Sequence, residues 1–225
     1  MRAEKADVER HLSELMARLK NREAAGTPLG AKEALVCRIH EQYPGDVGVF
    51  AAFFLNFIRL RPGEAIYLDA NEPHAYVAGD IVEAMATSDN VVRAGLTPKL
   101  RDTDVLCEML TYNTLQPEIL RGEDVAPGIK RYRPPFAEFQ VETVDVAPGK
   151  SLGIPASPGA SILLVQRGSA GIASCSLDGG ATSEVPLAEG SVFFAPARIA
   201  VAVANGGDEP MKIFRCCPND SVFNE

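Results

Sequence analysis

Tryptophan is absent from the 225 residues and histidine occurs only three times. No apolar run approaches the roughly 20 residues that cross a bilayer. The longest stretch, residues 50–60, is broken by Asn56 and Arg59, so no membrane span is expected. Positive charge is also in short supply: 22 Lys and Arg against 30 Asp and Glu leave a net charge of −8. That balance repels a phosphate backbone and argues against nucleic acid as a partner. An anionic substrate would need a local cationic pocket. The first residues, Met1-Arg2-Ala3-Glu4-Lys5, are charged and lack the apolar stretch of a signal peptide. The five cysteines (Cys37, Cys107, Cys175, Cys216 and Cys217) are odd in number, form no CxxC pair and match no zinc-finger spacing. Cys216 and Cys217 would point to opposite faces of a strand, a poor metal clamp. Free thiols in a reducing, cytoplasmic compartment are expected.

What is present is the composition of an ordinary globular protein, 46% apolar and 23% charged. Val8, Leu12, Leu15 and Leu19 recur at helical spacing and predict a helix over 7–20. A second helix is expected over 31–42, ended by Tyr43-Pro44-Gly45. Beyond it the pattern turns to β, with strands expected over 55–60, 65–68, 74–77, 80–86 and 90–94. A helical segment near 103–110 leads into a linker rich in Pro and Gly. Six further strands are expected over 138–146, 161–166, 171–177, 191–195, 198–204 and 211–216, spaced as in a jelly roll. The division predicted is a helical segment over 1–45, strands of a barrel over 46–115, a linker over 116–135 and a second barrel over 136–225.

Residues 71–99 carry the chemistry. In an extended chain, Asp89 and Arg93 share one face, close enough to tune each other, and His74 and Tyr76 share another. Lys99 follows Thr97-Pro98 on a loop, where its ammonium could reach an anion or simply be solvated. Asp89 could act as an acid/base or orient Arg93. Glu83 would share a buried face with Ile81 and Met85. His11 and His40 lie on charged helices and are expected to be solvated. The second β block offers no ligand cluster and reads as structural support.

The segment resembles the signature of the type I mannose-6-phosphate isomerases. The matching residues are His74-Ala75-Tyr76, Gly79, Glu83-Ala84-Met85-Ala86-Thr87-Ser88-Asp89-Asn90 and Arg93-Ala94-Gly95-Leu96-Thr97-Pro98-Lys99. Tyr43-Pro44-Gly45-Asp46 and Leu106-Cys107-Glu108-Met109-Leu110 are similar to that family as well. The resemblance implies a mainly β protein with an amino-terminal helical segment. Its fold would be a cupin jelly roll, with an incomplete first barrel and a second barrel at the carboxy terminus. It implies reversible conversion of mannose 6-phosphate and fructose 6-phosphate through a cis-enediol, in the supply of GDP-mannose precursor. His74 corresponds to a zinc ligand, Arg93 to the active-site arginine, and Lys99 and Asp89 to residues that line the sugar-phosphate pocket. Arg93 and Asp89 are the expected catalytic residues and Lys99 and Tyr76 the expected substrate-binding ones, Tyr76 either lining the pocket or capping its wall. One zinc ion and a monomeric state are implied for the complete enzyme.

The chain departs from the family in one block. The family's zinc cage also uses a Gln-x-His pair and a Glu, and none of the glutamines here is followed two places later by histidine. The segment Tyr-x-Asp-x-Asn-His-Lys-Pro-Glu is missing too. A single imidazole does not hold zinc as three or four ligands do. The other expectation to weigh is therefore a non-catalytic cupin module, a relic or a sugar-phosphate- or partner-binding fragment. Strand edges left without partners are expected to weaken the region before Thr97, while the second barrel folds well.

Overall fold

The computed structural model describes residues 1–88, 91–176 and 182–223. They fall into two compact units. The first comprises residues 1–60, 68–78 and 88–117; the second comprises 61–67, 79–87 and 118–225.

The first unit is built on α1 (Lys5–Ala24) and α2 (Ala31–Gln42). The helical spacing of Val8, Leu12, Leu15, Met16 and Leu19 puts all five on one buried stripe, against Leu35, Val36 and Ile39 of α2. Burying side chains of this size contributes about 1.5–3 kcal/mol each. Gly30 precedes α2, and its backbone N–H donates to the Glu33 carboxylate, which also pairs with Arg22 of α1. One short ion-paired contact thus fixes both the start of α2 and its register on α1. A 3-10 turn (Val47–Phe50) and α3 (Ala51–Phe54) close this core with Val49 and Ala52. Further along lies α4 (Thr103–Met109), where the Asp102 side chain caps the Val105 N–H.

The second unit contains β1 (Ala65–Ile66), β2 (Ile119–Leu120), β3 (Glu123–Ala126), β4 (Ile129–Tyr132), β5 (Gln140–Val146), β6 (Ser151–Ile154) and β7 (Ser161–Arg167). It continues with β8 (Gly171–Ser176), β9 (Thr182–Leu187), β10 (Val192–Ala195), β11 (Val201–Asn205) and β12 (Met211–Cys217). Six strands form one sheet in the order β10-β7-β12-β5-β4-β3, and four form another in the order β6-β11-β8-β9. All pairings are antiparallel. Alternation along the strands sends Val144, Val146, Leu163, Val165, Met211, Ile213 and Val203 into one shared core.

Several expectations need correction. Residues 55–60, 74–77, 80–86 and 91–94 form no strand, and of 65–68 only β1 pairs, with β2. Isolated extended segments are not stable without neighbouring strands to satisfy their backbone groups. Residues 116–135 are not a bare linker, because they form β2, β3 and β4, with Ile129 and Tyr132 buried. Strands β6 and β9 were not expected at all. The five cysteines are free thiols, as expected. No helix among the described residues is long and apolar enough to cross a membrane.

Candidate functional site

His74, Tyr76, Arg93 and Lys99 all belong to the first unit, whereas Glu83 belongs to the second. The His74 and Tyr76 rings lie 5.5 Å apart between centroids and are tilted against each other. Their pairing survives although no strand forms beneath them. His74 is exposed, and its Nδ1 lies 2.9 Å from the Glu72 carbonyl oxygen. A carbonyl can only accept, so Nδ1 carries a proton, and in the neutral ring Nε2 keeps its lone pair. That is the tautomer a metal-ligating imidazole requires when its other nitrogen is held by backbone.

Arg93 is half-buried and Lys99 exposed at the tip of the loop. The loop between them is held by one carboxylate. Asp46 Oδ1 accepts from the Gly48 N–H at 2.6 Å and from the Leu96 N–H at 3.0 Å, and lies 3.8 Å from Arg101 Nη1. The backbones of residues 48 and 95 meet here without side chains between them. A Cβ added to Gly95 would sit 2.6 Å from the Gly48 Cα, and one added to Gly48 would sit 2.8 Å from the Leu96 nitrogen. Only glycine at both positions allows this approach. Leu96 itself adopts a positive φ of 56° and packs on the helical core. Lys99 is turned back on the loop by its N–H to Thr97 Oγ1 at 3.2 Å.

The remaining expected residues fare differently. Asp89 lies outside the described residues. Glu83 is exposed rather than buried, with Ile81 and Met85 exposed beside it, because residues 80–86 pair with no strand that could cover one face. His11 is exposed beside Glu14, as expected. His40 is not: its ring is half-buried on α2, and its Nδ1 is enclosed with no hydrogen-bond partner among the described residues.

No group of three or more His, Cys, Asp or Glu side chains among the described residues converges to hold a metal ion. Without such a group the described residues do not by themselves fit a zinc ion, and His74 could supply one ligand. Sequence reasoning missed Asp46, Gly48 and Gly95 as a unit. The signal was there in Gly45-Asp46 and in Gly95 of the signature, but their meeting needs the fold.

Comparison with known proteins bears on the same residues. The helical insertion domain of type I phosphomannose isomerase matches residues 1–55, the helical core with its closing turn. Mannose-6-phosphate isomerase 2 of Arabidopsis thaliana is 49% identical over 213 residues, 93% of this chain. The chain belongs to the type I phosphomannose isomerase family. Mannose-6-phosphate isomerase of Bos taurus is 41% identical over 226 residues, 96% of the chain. The chain spans about half the length of the curated relatives it matches, 47% and 52% of these two. A crystallised variant of phosphomannose isomerase from Salmonella typhimurium superposes with a TM-score of 0.73 at 27% identity. It covers 97% of this chain and 52% of that one. The fold is thus mainly β with an amino-terminal helical segment, an incomplete first cupin barrel and a second barrel at the carboxy terminus. In this chain the Asp46 junction joins the segment matched by the helical insertion domain to the Arg93–Lys99 loop.

Proposed function

We propose that this chain is the carboxy-terminal half of a mannose-6-phosphate isomerase, an aldose–ketose isomerase that interconverts mannose 6-phosphate and fructose 6-phosphate in the supply of GDP-mannose precursor. The observation that carries the reading is the signature over 74–99, complete at every fixed position and anchored through Asp46 to the matched helical domain. The His74 imidazole, with Nδ1–H on the Glu72 carbonyl, offers Nε2 as one ligand, and the rest of the cage belongs to the half of the family not represented here. Zinc, when bound, would polarise and order the sugar oxygens. A base removes the C2 proton of the open-chain aldose, and a proton returns at C1 after the cis-enediol. Asp89 is the candidate for that base, or for orienting Arg93. Arg93 stabilises the developing negative charge with its planar guanidinium. Lys99 binds the phosphate as a point charge, and Tyr76 lines the pocket beside His74.

A second reading, a non-catalytic cupin module, is favoured by one observation: among the described residues no metal-holding group forms. Joining the chain to the amino-terminal half of a family member, by co-expression, separates the two. The isomerase reading expects zinc binding and turnover only in the joined protein. With Arg93→Ala, turnover falls about 10²–10³-fold while zinc content is retained. Zinc uptake without turnover in the unsubstituted assembly would favour the module, and unchanged turnover in Arg93→Ala would remove Arg93 from the mechanism.

A further inference from the structure

We propose that the interior of the second barrel holds a binding site for a small oxyanion, a carboxylate or phosphate group carried by a metabolite. The barrel interior is two-faced along its strands. Toward one end the inward positions of β4, β5 and β12 are Ile129, Val144 and Ile213. Two residues along, the same three strands present Arg131, Glu142 and Arg215 as direct cross-strand neighbours. This charged row faces a cavity of about 260 Å³, which also reaches Gln140, Cys217 and Asp220.

Glu142 and Arg215 are both buried. The Glu142 carboxylate is fully engaged. Its Oε1 takes Arg131 Nε at 2.9 Å and Nη2 at 2.8 Å, and its Oε2 takes Arg215 Nη1 at 3.2 Å. Arg215 Nε donates to Ser161 Oγ and Nη1 also to the Pro155 carbonyl, each at 2.9 Å. Its Nη2 has no protein acceptor among the described residues and is not sealed from solvent. Arg215 lines the cavity, so Nη2 has two N–H donors available to a bound acceptor there.

The lining charges leave an anion unopposed. Arg131 and Arg215 balance Glu142 and Asp220, and Arg133, outside the lining, adds a further cation beside Asp220. Asp220 is held by Arg131 Nη1 at 2.8 Å and Arg133 Nη2 at 3.5 Å, so both carboxylates at the cavity are already paired. Cys217 adds no negative charge, since burial, foremost, raises its thiol above the ordinary range despite the opposing pull of Arg215. The two N–H groups of a guanidinium Nη2 match a carboxylate or phosphate oxygen as donors. Stability alone does not account for the row, because buried ion pairs are often no better than apolar residues of the same volume. The site lies in the second unit and does not depend on whether the chain takes part in isomerisation.

The test uses the intact chain. Inorganic phosphate and malonate are titrated calorimetrically, with chloride at matched ionic strength as control. Alkylation of Cys217 by iodoacetamide is followed by mass spectrometry. One saturable site is expected for phosphate, malonate or both, and which one binds identifies the source. At about ten times the dissociation constant, Cys217 alkylation slows about tenfold. Arg215→Lys keeps a cation beside Glu142 but loses the Nη2 donors, and is expected to weaken binding at least about tenfold. Absence of saturable binding, or equal protection by chloride, overturns the proposal. Should Arg215→Lys fail to fold by circular dichroism, Cys217 protection in the unsubstituted chain decides.

Discussion

Residues 80–86 and β12 are both stretches of apolar and β-favouring sequence, yet they have opposite fates. In β12 every residue pairs with β5, and Lys212 to Cys216 pair on the other side with β7 as well. Its alternate side chains Met211, Ile213, Arg215 and Cys217 are buried. In residues 80–86 no ladder forms, and Ile81, Val82 and Met85 stay exposed, Met85 at 71%. β-propensity is a fit to a half-buried pleated surface, and it becomes structure only where neighbouring strands supply that surface. The second barrel finds all its neighbours within the chain. The strands of the first do not, which agrees with a chain that spans about half of its relatives.

The comparison breaks most directly at Ile213. Replacing this fully buried side chain with alanine is expected to cost about 2–5 kcal/mol, through lost transfer free energy and the cavity left behind. The same truncation at Met85 is expected to stay within about 0.5 kcal/mol, since an exposed side chain leaves no cavity. Urea denaturation of both variants, followed by far-ultraviolet circular dichroism, measures the two costs side by side. Equal costs would mean that residues 80–86 bury their apolar side chains after all, and the contrast would collapse.

What could be read from the sequence divides along the same line. The helices over 7–20 and 31–42 were legible because their apolar stripe is local and repeats every three or four residues. The second barrel was legible in outline, since alternation marks strands wherever one face is buried. The strand expectations over 74–77 and 80–86 failed because a strand's partner is not written in the strand itself. Glu83 followed from the same assumption and failed with it. His74, Tyr76, Arg93 and Lys99 were legible only through a long motif, and their supports were not. Asp46 and Leu96 are 50 positions apart, and nothing local announces that one carboxylate oxygen accepts from both Gly48 and Leu96. The Arg131–Glu142–Arg215 row was hidden for the same reason: three strands contribute one residue each.

The Asp46 junction sharpens the comparison, because here a segment without a ladder is nonetheless fixed. Gly95→Ala places a Cβ 2.6 Å from the Gly48 Cα, a contact that backbone atoms relieve only by moving apart. Overpacking of this kind costs about 1–3 kcal/mol. The Leu96 N–H to Asp46 bond is expected to open, so amide exchange at Leu96 speeds up while amides of β12 keep their protection. Unchanged exchange at Leu96 would mean that the loop is held by something other than this close approach.

The smallest effect expected concerns the helical core, and it depends on pH. The Gly30 N–H, foremost, holds the Glu33 carboxyl below its ordinary value of 4.5, and Arg22 adds to the pull. A carboxyl whose folded value is depressed contributes its full stability above 4.5 and loses it as pH falls through the folded value, because protonation then favours the unfolded chain. Glu33→Gln removes that dependence. At neutral pH the variant is expected to melt slightly earlier than the parent, since an amide oxygen replaces a charge at the start of α2. Below the folded value the two melting curves should converge, because the parent's Glu33 is then neutral as well. Helical ellipticity recorded against temperature at several pH values reads this directly. A difference between the curves that persists undiminished in acid would show that Glu33 acts by packing, and that the N–H and guanidinium facing it contribute no charge-dependent stability to the helical unit.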